Sequence, residues 1–275
     1  MKTNFNLLFI IALLAILVQG CVPSPDVNIN IKNDSLLIDT TISSANMVKH
    51  SIETRKANYI VAKIIFPAGK IRIEPCKTNL MNGSFKFTNN DWKPKISYTE
   101  TGDTGKITIE PKKRIDNVNF NDSDTCRWFI DLNPEKKYDI DMQIGACKGY
   151  LNFEGFMIQN FNIELGAGKI NINLKNTSVP NVEISVGAGK ATVDLTGTWN
   201  NNLKANIAGG VGEIEIHLPK DVGVKAEVNG LLGRVDAEGF TKRHNTYSNS
   251  NLEKTKYILD LNIDGAIGKV KLVLE

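Results

Sequence analysis

Basic residues recur at one fixed place in this chain. Each follows a glycine or cysteine that opens a short alternating segment: Lys70, Lys106, Arg127, Lys148, Lys169, Lys190, Arg234 and Lys269, with Glu213 as the exception. From Lys106 to Lys190 the spacing is 21 residues. If successive copies stack as neighbouring strands about 4.8 Å apart, Lys106, Arg127, Lys148, Lys169 and Lys190 form a column of like charge. Such a column attracts anions, whether acidic glycans, teichoic-type polymers or lipid headgroups. The other reading is that lysine stems cover apolar turns while their heads fan into solvent or pair with nearby acids.

Cys126 and Cys147 occupy equivalent places in the same spacing. On adjacent coils they would fall within the roughly 4.4–6.8 Å Cα separation of a disulfide, which makes them a candidate pair. Alternatively they are reduced, small side chains standing where other copies have glycine. Cys76 is then left without a partner.

Other chemistry finds less footing. His50, His217 and His244 are the only histidines and are scattered. No paired Cys-x-x-Cys or His-x-x-His spacing suggests zinc, and neither a Gly-x-Ser-x-Gly elbow nor a Gly-Lys-Ser/Thr phosphate loop occurs. Acids at outward positions (Asp141, Glu183, Asp194, Glu215, Glu227, Asp236) leave a polysaccharide lyase as an enzymatic alternative, but they read mostly as different columns on solvated faces. The expectation is a non-enzyme without cofactor or metal. Net charge is +3, or +2 if Lys2 leaves with a leader (3 − 1 = 2), so nothing demands nucleic acid. Trp128 reads as core. Trp199, between strands, either stacks on a sugar or plugs the groove beneath its loop.

The elements that must position these residues are short strands. Positions two, four and six after each glycine are apolar, as in Ile170/Ile172/Leu174 and Ile214/Ile216/Leu218. A second alternating run precedes each glycine, as in Phe161/Ile163/Leu165 and Val182/Ile184/Val186. A repeat of about 20 residues with period-two patterning predicts a solenoid. The fold expected is all-β: a parallel β-helix (β-solenoid) with ~21-residue coils of two strands and Gly-rich turns such as Gly166-Ala167-Gly168. The copies begin at Gly69 and Gly105, slip by two at Gly212, recover at Gly233 and resume at Gly268. The polar stretch Phe240–Lys256 interrupts them, and insertions of this kind often carry specificity. The terminal strand presents an edge, so the C-terminal end is expected to be covered by another molecule or by that insertion.

At the other end, Lys2 precedes an apolar run from Leu7 to Val18, shorter than the roughly 20 residues of a spanning helix. Leu17-Val18-Gln19-Gly20-Cys21 resembles the lipobox of bacterial lipoproteins. That resemblance implies residues 1–20 as a signal peptide, lipidation of Cys21, export and a membrane anchor at the cell surface or periplasmic face. Residues 21–45 read as a tether, 46–135 as an N-terminal half and 136–275 as a regular half with the 240–256 insertion.

Gly69-Lys70-Ile71-Arg72-Ile73, Trp92-Lys93-Pro94-Lys95-Ile96, Trp128-Phe129-Ile130-Asp131-Leu132 and Gly209-Gly210-Val211-Gly212 resemble the toast-rack family of exported β-solenoids. They are also similar to the related adhesin-type and envelope-response domains. The resemblance implies a parallel β-helix without catalytic residues. Its members are linked to adhesion or to envelope stress sensing. Taken with the lipobox and the basic column, the function expected is an adhesin-like, lipid-anchored envelope or surface module that binds an anionic envelope polymer or a partner protein. The alternative is a sensor or scaffold subunit, working with a membrane protein, in an envelope stress response.

Overall fold

Alternating apolar and polar residues favour extended chain, because only a strand sends successive side chains to opposite faces. The computed structural model, which describes residues 46–113, 125–230 and 232–275, is accordingly almost all strand. The chain runs through β1 (Asn46–Ile52), the long β2 (Tyr59–Pro75) and β3 (Met81–Phe87). A 3-10 turn at Asn90–Trp92 leads to the hairpin β4 (Pro94–Thr101) and β5 (Thr104–Pro111), and then to β6 (Cys126–Leu132). Four long strands follow: β7 (Lys137–Asn152), β8 (Met157–Asn173), β9 (Asn181–Asp194) and β10 (Leu203–Leu218). Last come β11 (Gly223–Asn229), β12 (Leu232–Ala237), the small hairpin β13 (Thr241–Arg243) and β14 (Thr246–Ser248), and β15 (Ile258–Leu274).

Each long strand is one coil. The two arms expected on either side of the glycine turn are continuous through it, and the coils stack in parallel with Cys147, Gly168, Gly189, Gly212 and Gly268 in register. First arms build one wall and second arms the other. Their inward residues, such as Ile163 and Leu165 facing Ile170 and Ile172, belong to a single core that runs from Ile52 to Leu272. The parallel β-solenoid read from the repeat is the fold.

The corners explain why glycine recurs. Gly168 and Gly189 adopt φ of +127° and +119°, and a Cβ on either would sit 1.9 Å from the carbonyl oxygen of the preceding coil. No other residue fits there while the coils hydrogen-bond. Cys147 escapes this constraint because it is not among the residues at positive φ. Its Sγ lies 3.3 Å from where a Cβ on the inward-facing Gly149 would be. In β7 the corner and the core position two residues on have therefore exchanged sizes, relative to Gly168 and Ile170 in β8.

At both ends the chain doubles back. Strand order is β3-β6-β2-β7, with β5 beside the first arm of β2. Thus β5 and β6 supply the two arms of a split coil on one side of β2, and the chain then crosses to lay β7 on the other. Gly105, a ladder glycine by spacing, lies beside Ile60 and opens a first arm instead of forming a corner. At the far end β15, last in sequence, lies between β10 and the split coil of β11 and β12. The final strand is therefore interior. From the insertion, β14 pairs with β11, while β12 pairs with β15 alone among the described residues.

Candidate functional site

On the second wall, outward residues fall at one, three and five positions past the corner. The first of these rows reads, strand by strand, Lys86, Arg127, Lys70, Lys148, Lys169, Lys190, Glu213, Lys269 and Arg234. The column expected from spacing is therefore present, with two changes. Lys70 enters between Arg127 and Lys148, because β2 lies between β6 and β7, and Lys86 extends the row. Lys106 leaves it: it lies on the opposite wall, between Val61 and Thr99, because Gly105 opens a first arm.

The same insertion of β2 separates the cysteines. Gly69 lies between Cys126 and Cys147, so they are two strand spacings apart, about 10 Å, beyond disulfide reach. Both are free thiols, and burial pushes each up to about 12. The candidate disulfide is thereby corrected to two reduced core side chains.

The row divides at β9. Lys190 Nζ lies 3.0 Å from Glu213 and 2.6 Å from Glu215, whose other oxygen accepts from Lys271 at 2.8 Å. The Glu215 side chain is only 12% exposed. Hydrogen bonds from Lys190 and then Lys271 hold its carboxyl down to about 2 against the opposing effect of burial. Further along, Asp236 takes Lys269 at 3.0 Å and Arg234 at 2.8 Å. Also beside Glu215 is His217, whose Nδ1 lies 2.7 Å from Glu275 Oε1. In contrast, Lys86, Arg127, Lys148 and Lys169 form no ion pair among the described residues.

The second row carries Phe129, Arg72, Tyr150 and Asn171 in register. Phe129 is 37% and Tyr150 41% exposed, and the Arg72 guanidinium stacks 5.0 Å above the Phe129 ring. Arg72 Nε is buried and has no hydrogen-bond partner among the described residues. The third row is Asn82, Asp131, Glu74, Asn152, Asn173 and Asp194. Asn152 donates to Glu74 at 2.9 Å and Asn173 donates to Asn152 at 3.1 Å. Sequence reasoning did not single out Phe129 and Tyr150. The signal was there in parity, since an inward Trp128 and Gly149 require outward neighbours.

Other sequence candidates resolve simply. Trp128 is fully buried, edge-on to Phe66 and Phe85. Trp199 is a plug: it is 6% exposed and its Nε1 donates to the Leu195 carbonyl. Asp141, Glu183 and Glu227 share a row on the first wall, separated by Asn162 and by Asn206 and Asn262. Among the described residues no three His, Cys, Asp or Glu come together as metal ligands. Cys21 and the leader lie outside the described residues.

Against known proteins, the family described as the N-terminal domain of toast_rack matches residues 41–184 and 160–217. A solved structure of a candidate cell adhesion protein from Clostridium sporogenes ATCC 15579 is 27% identical with a TM-score of 0.63, covering 84% of this chain and 100% of its own. A candidate adhesin from Bacteroides fragilis NCTC 9343, at 11% identity and a TM-score of 0.27, covers 84% and 98%. No curated protein matches significantly. Matched across more than half its length, and built of the coils just described, the chain belongs to the toast-rack family.

Proposed function

We propose that this protein is a non-catalytic, adhesin-like surface module that binds an anionic envelope polymer along the second wall. The observation that carries the reading is the row Lys86, Arg127, Lys70, Lys148 and Lys169, five bases on successive strands with no acid interposed. Like charges directly opposite one another on a sheet are destabilising. Four of these side chains make no ion pair among the described residues, although the same row farther along shows how readily acids are placed to neutralise it. A continuous positive stripe on an otherwise mixed surface is suited to a linear polyanion. The adhesion name of the Clostridium sporogenes relative agrees with a surface role. Export and anchoring through lipid on Cys21 would hold the module at the envelope.

The test is binding of the purified chain to isolated envelope polymers across a range of salt, beside a Lys148→Glu/Lys169→Glu variant. Binding that weakens steeply with ionic strength and is lost in the variant is expected. Equal binding by both proteins would remove the row from the function, and no binding by either would favour a protein partner.

A further inference from the structure

We infer that the polymer is an acidic polysaccharide, read simultaneously by the three rows of the second wall; this rests on the anionic-polymer reading above. A bare polyanion such as polyphosphate needs only the bases. It leaves unexplained two exposed rings in one row, Phe129 and Tyr150, with Arg72 between them. Single exposed aromatics are ordinary. Two on alternate strands about 10 Å apart, bordering the uninterrupted part of the basic row, make a platform.

The third row discriminates further. Asp131 and Glu74 stand two residues beyond Phe129 and Arg72 on the same strands, about 7 Å along the chain. Carboxylates there repel a polymer charged all round. They suit one that carries a single acid per residue among several hydroxyls, because free carboxylate lone pairs accept from hydroxyls, while Asn152 keeps one N–H and Asn173 one oxygen lone pair beyond the bonds they already make. A pyranose chain lying along the solenoid axis meets all three requirements. Its carboxylates or sulfates lie over Arg127, Lys148 and Lys169, its C–H faces lie on the Tyr150 ring and on the part of the Phe129 ring that Arg72 leaves open, and its hydroxyls reach the amide and carboxylate row. The three rows remain in register from β6 to β8, and the basic row is neutralised from Lys190 onward, which bounds the site.

The experiment compares polygalacturonate with polyphosphate of matched charge at one ionic strength, titrated against the intact chain and three variants. Wild type should prefer polygalacturonate. Phe129→Ala/Tyr150→Ala should weaken polygalacturonate about tenfold, as two lost ring contacts predict, and leave polyphosphate unchanged. Phe129→Tyr/Tyr150→Phe, which keeps both rings, should bind polygalacturonate like wild type. Lys148→Glu/Lys169→Glu should lose both polymers. If the alanine pair binds both polymers as wild type does, the sugar assignment is overturned and the charge reading stands. If the glutamate pair still binds, or wild type binds neither polymer, both readings fall together.

Discussion

One row of outward residues has two characters. From β3 to β8 it is an unbroken series of bases, and from β9 to β15 and β12 the same positions are knitted to Glu213, Glu215 and Asp236. Both halves share the corner, the parity and nearly the same sequence rule. The difference comes from acids at Glu213 on the row itself and at Glu215 and Asp236 one row over. Glu215, nearly buried and held by two lysines, makes the later half a structural network. Where no such acid stands, Lys86, Arg127, Lys148 and Lys169 form no ion pair among the described residues. On the proposed reading, a repeated motif serves stability at one end of a solenoid and recognition at the other.

The shared corner gives the largest expected effect and tests whether the halves are alike beneath their surfaces. Gly168→Ala and Gly268→Ala each place a Cβ within 1.9 Å of a neighbouring carbonyl oxygen at positive φ. Both should destabilise by about 3 kcal/mol or more in chemical denaturation. A mild effect at either would mean the corners differ.

Next in size is the contrast between charged residues. Glu215→Gln should cost about 1–3 kcal/mol through lost charge-assisted hydrogen bonds, whereas Lys169→Gln should change stability by less than about 0.5 kcal/mol. Equal costs would erase the distinction between the halves. The pH dependence follows from the same carboxylate. With its folded value lowered from 4.5 to about 2, its contribution is full above about 4.5 and is lost as pH falls toward 2. The gap in melting temperature between wild type and Glu215→Gln should close over that window.

The smallest effect is chemical. Alkylation of the native protein near neutral pH should modify half-buried Cys76 before Cys126 or Cys147, whose thiols are buried. Recovery of a Cys126–Cys147 linked peptide would contradict the β6-β2-β7 strand order.

Much of this was legible locally. Alternation in Lys169-Ile170-Asn171-Ile172-Asn173-Leu174 states which side chains face the core and which face solvent, and Gly168 marks the corner. The column of bases followed, and the exposed Phe129 was recoverable from the same parity. What spacing could not convey was adjacency. Cys126 and Cys147 are one repeat apart in sequence yet lie on either side of Gly69. Lys106, one repeat before Arg127, belongs to the opposite wall. The final strand, which reads as an exposed edge, is enclosed by β10 and by β11 with β12.

By itself, then, the sequence determined parity, corners and the outward position of the bases, because these depend on chain geometry over two to four residues. Only the tertiary structure decided which strands are neighbours, which bases are neutralised and where the aromatic row meets the basic one. Two coils with the same parity and corner can stack in either order without changing a local signal. The choice is made by pairing between residues distant in the chain, where β2 is enclosed by β6 and β7 and β15 slips beneath the split coil.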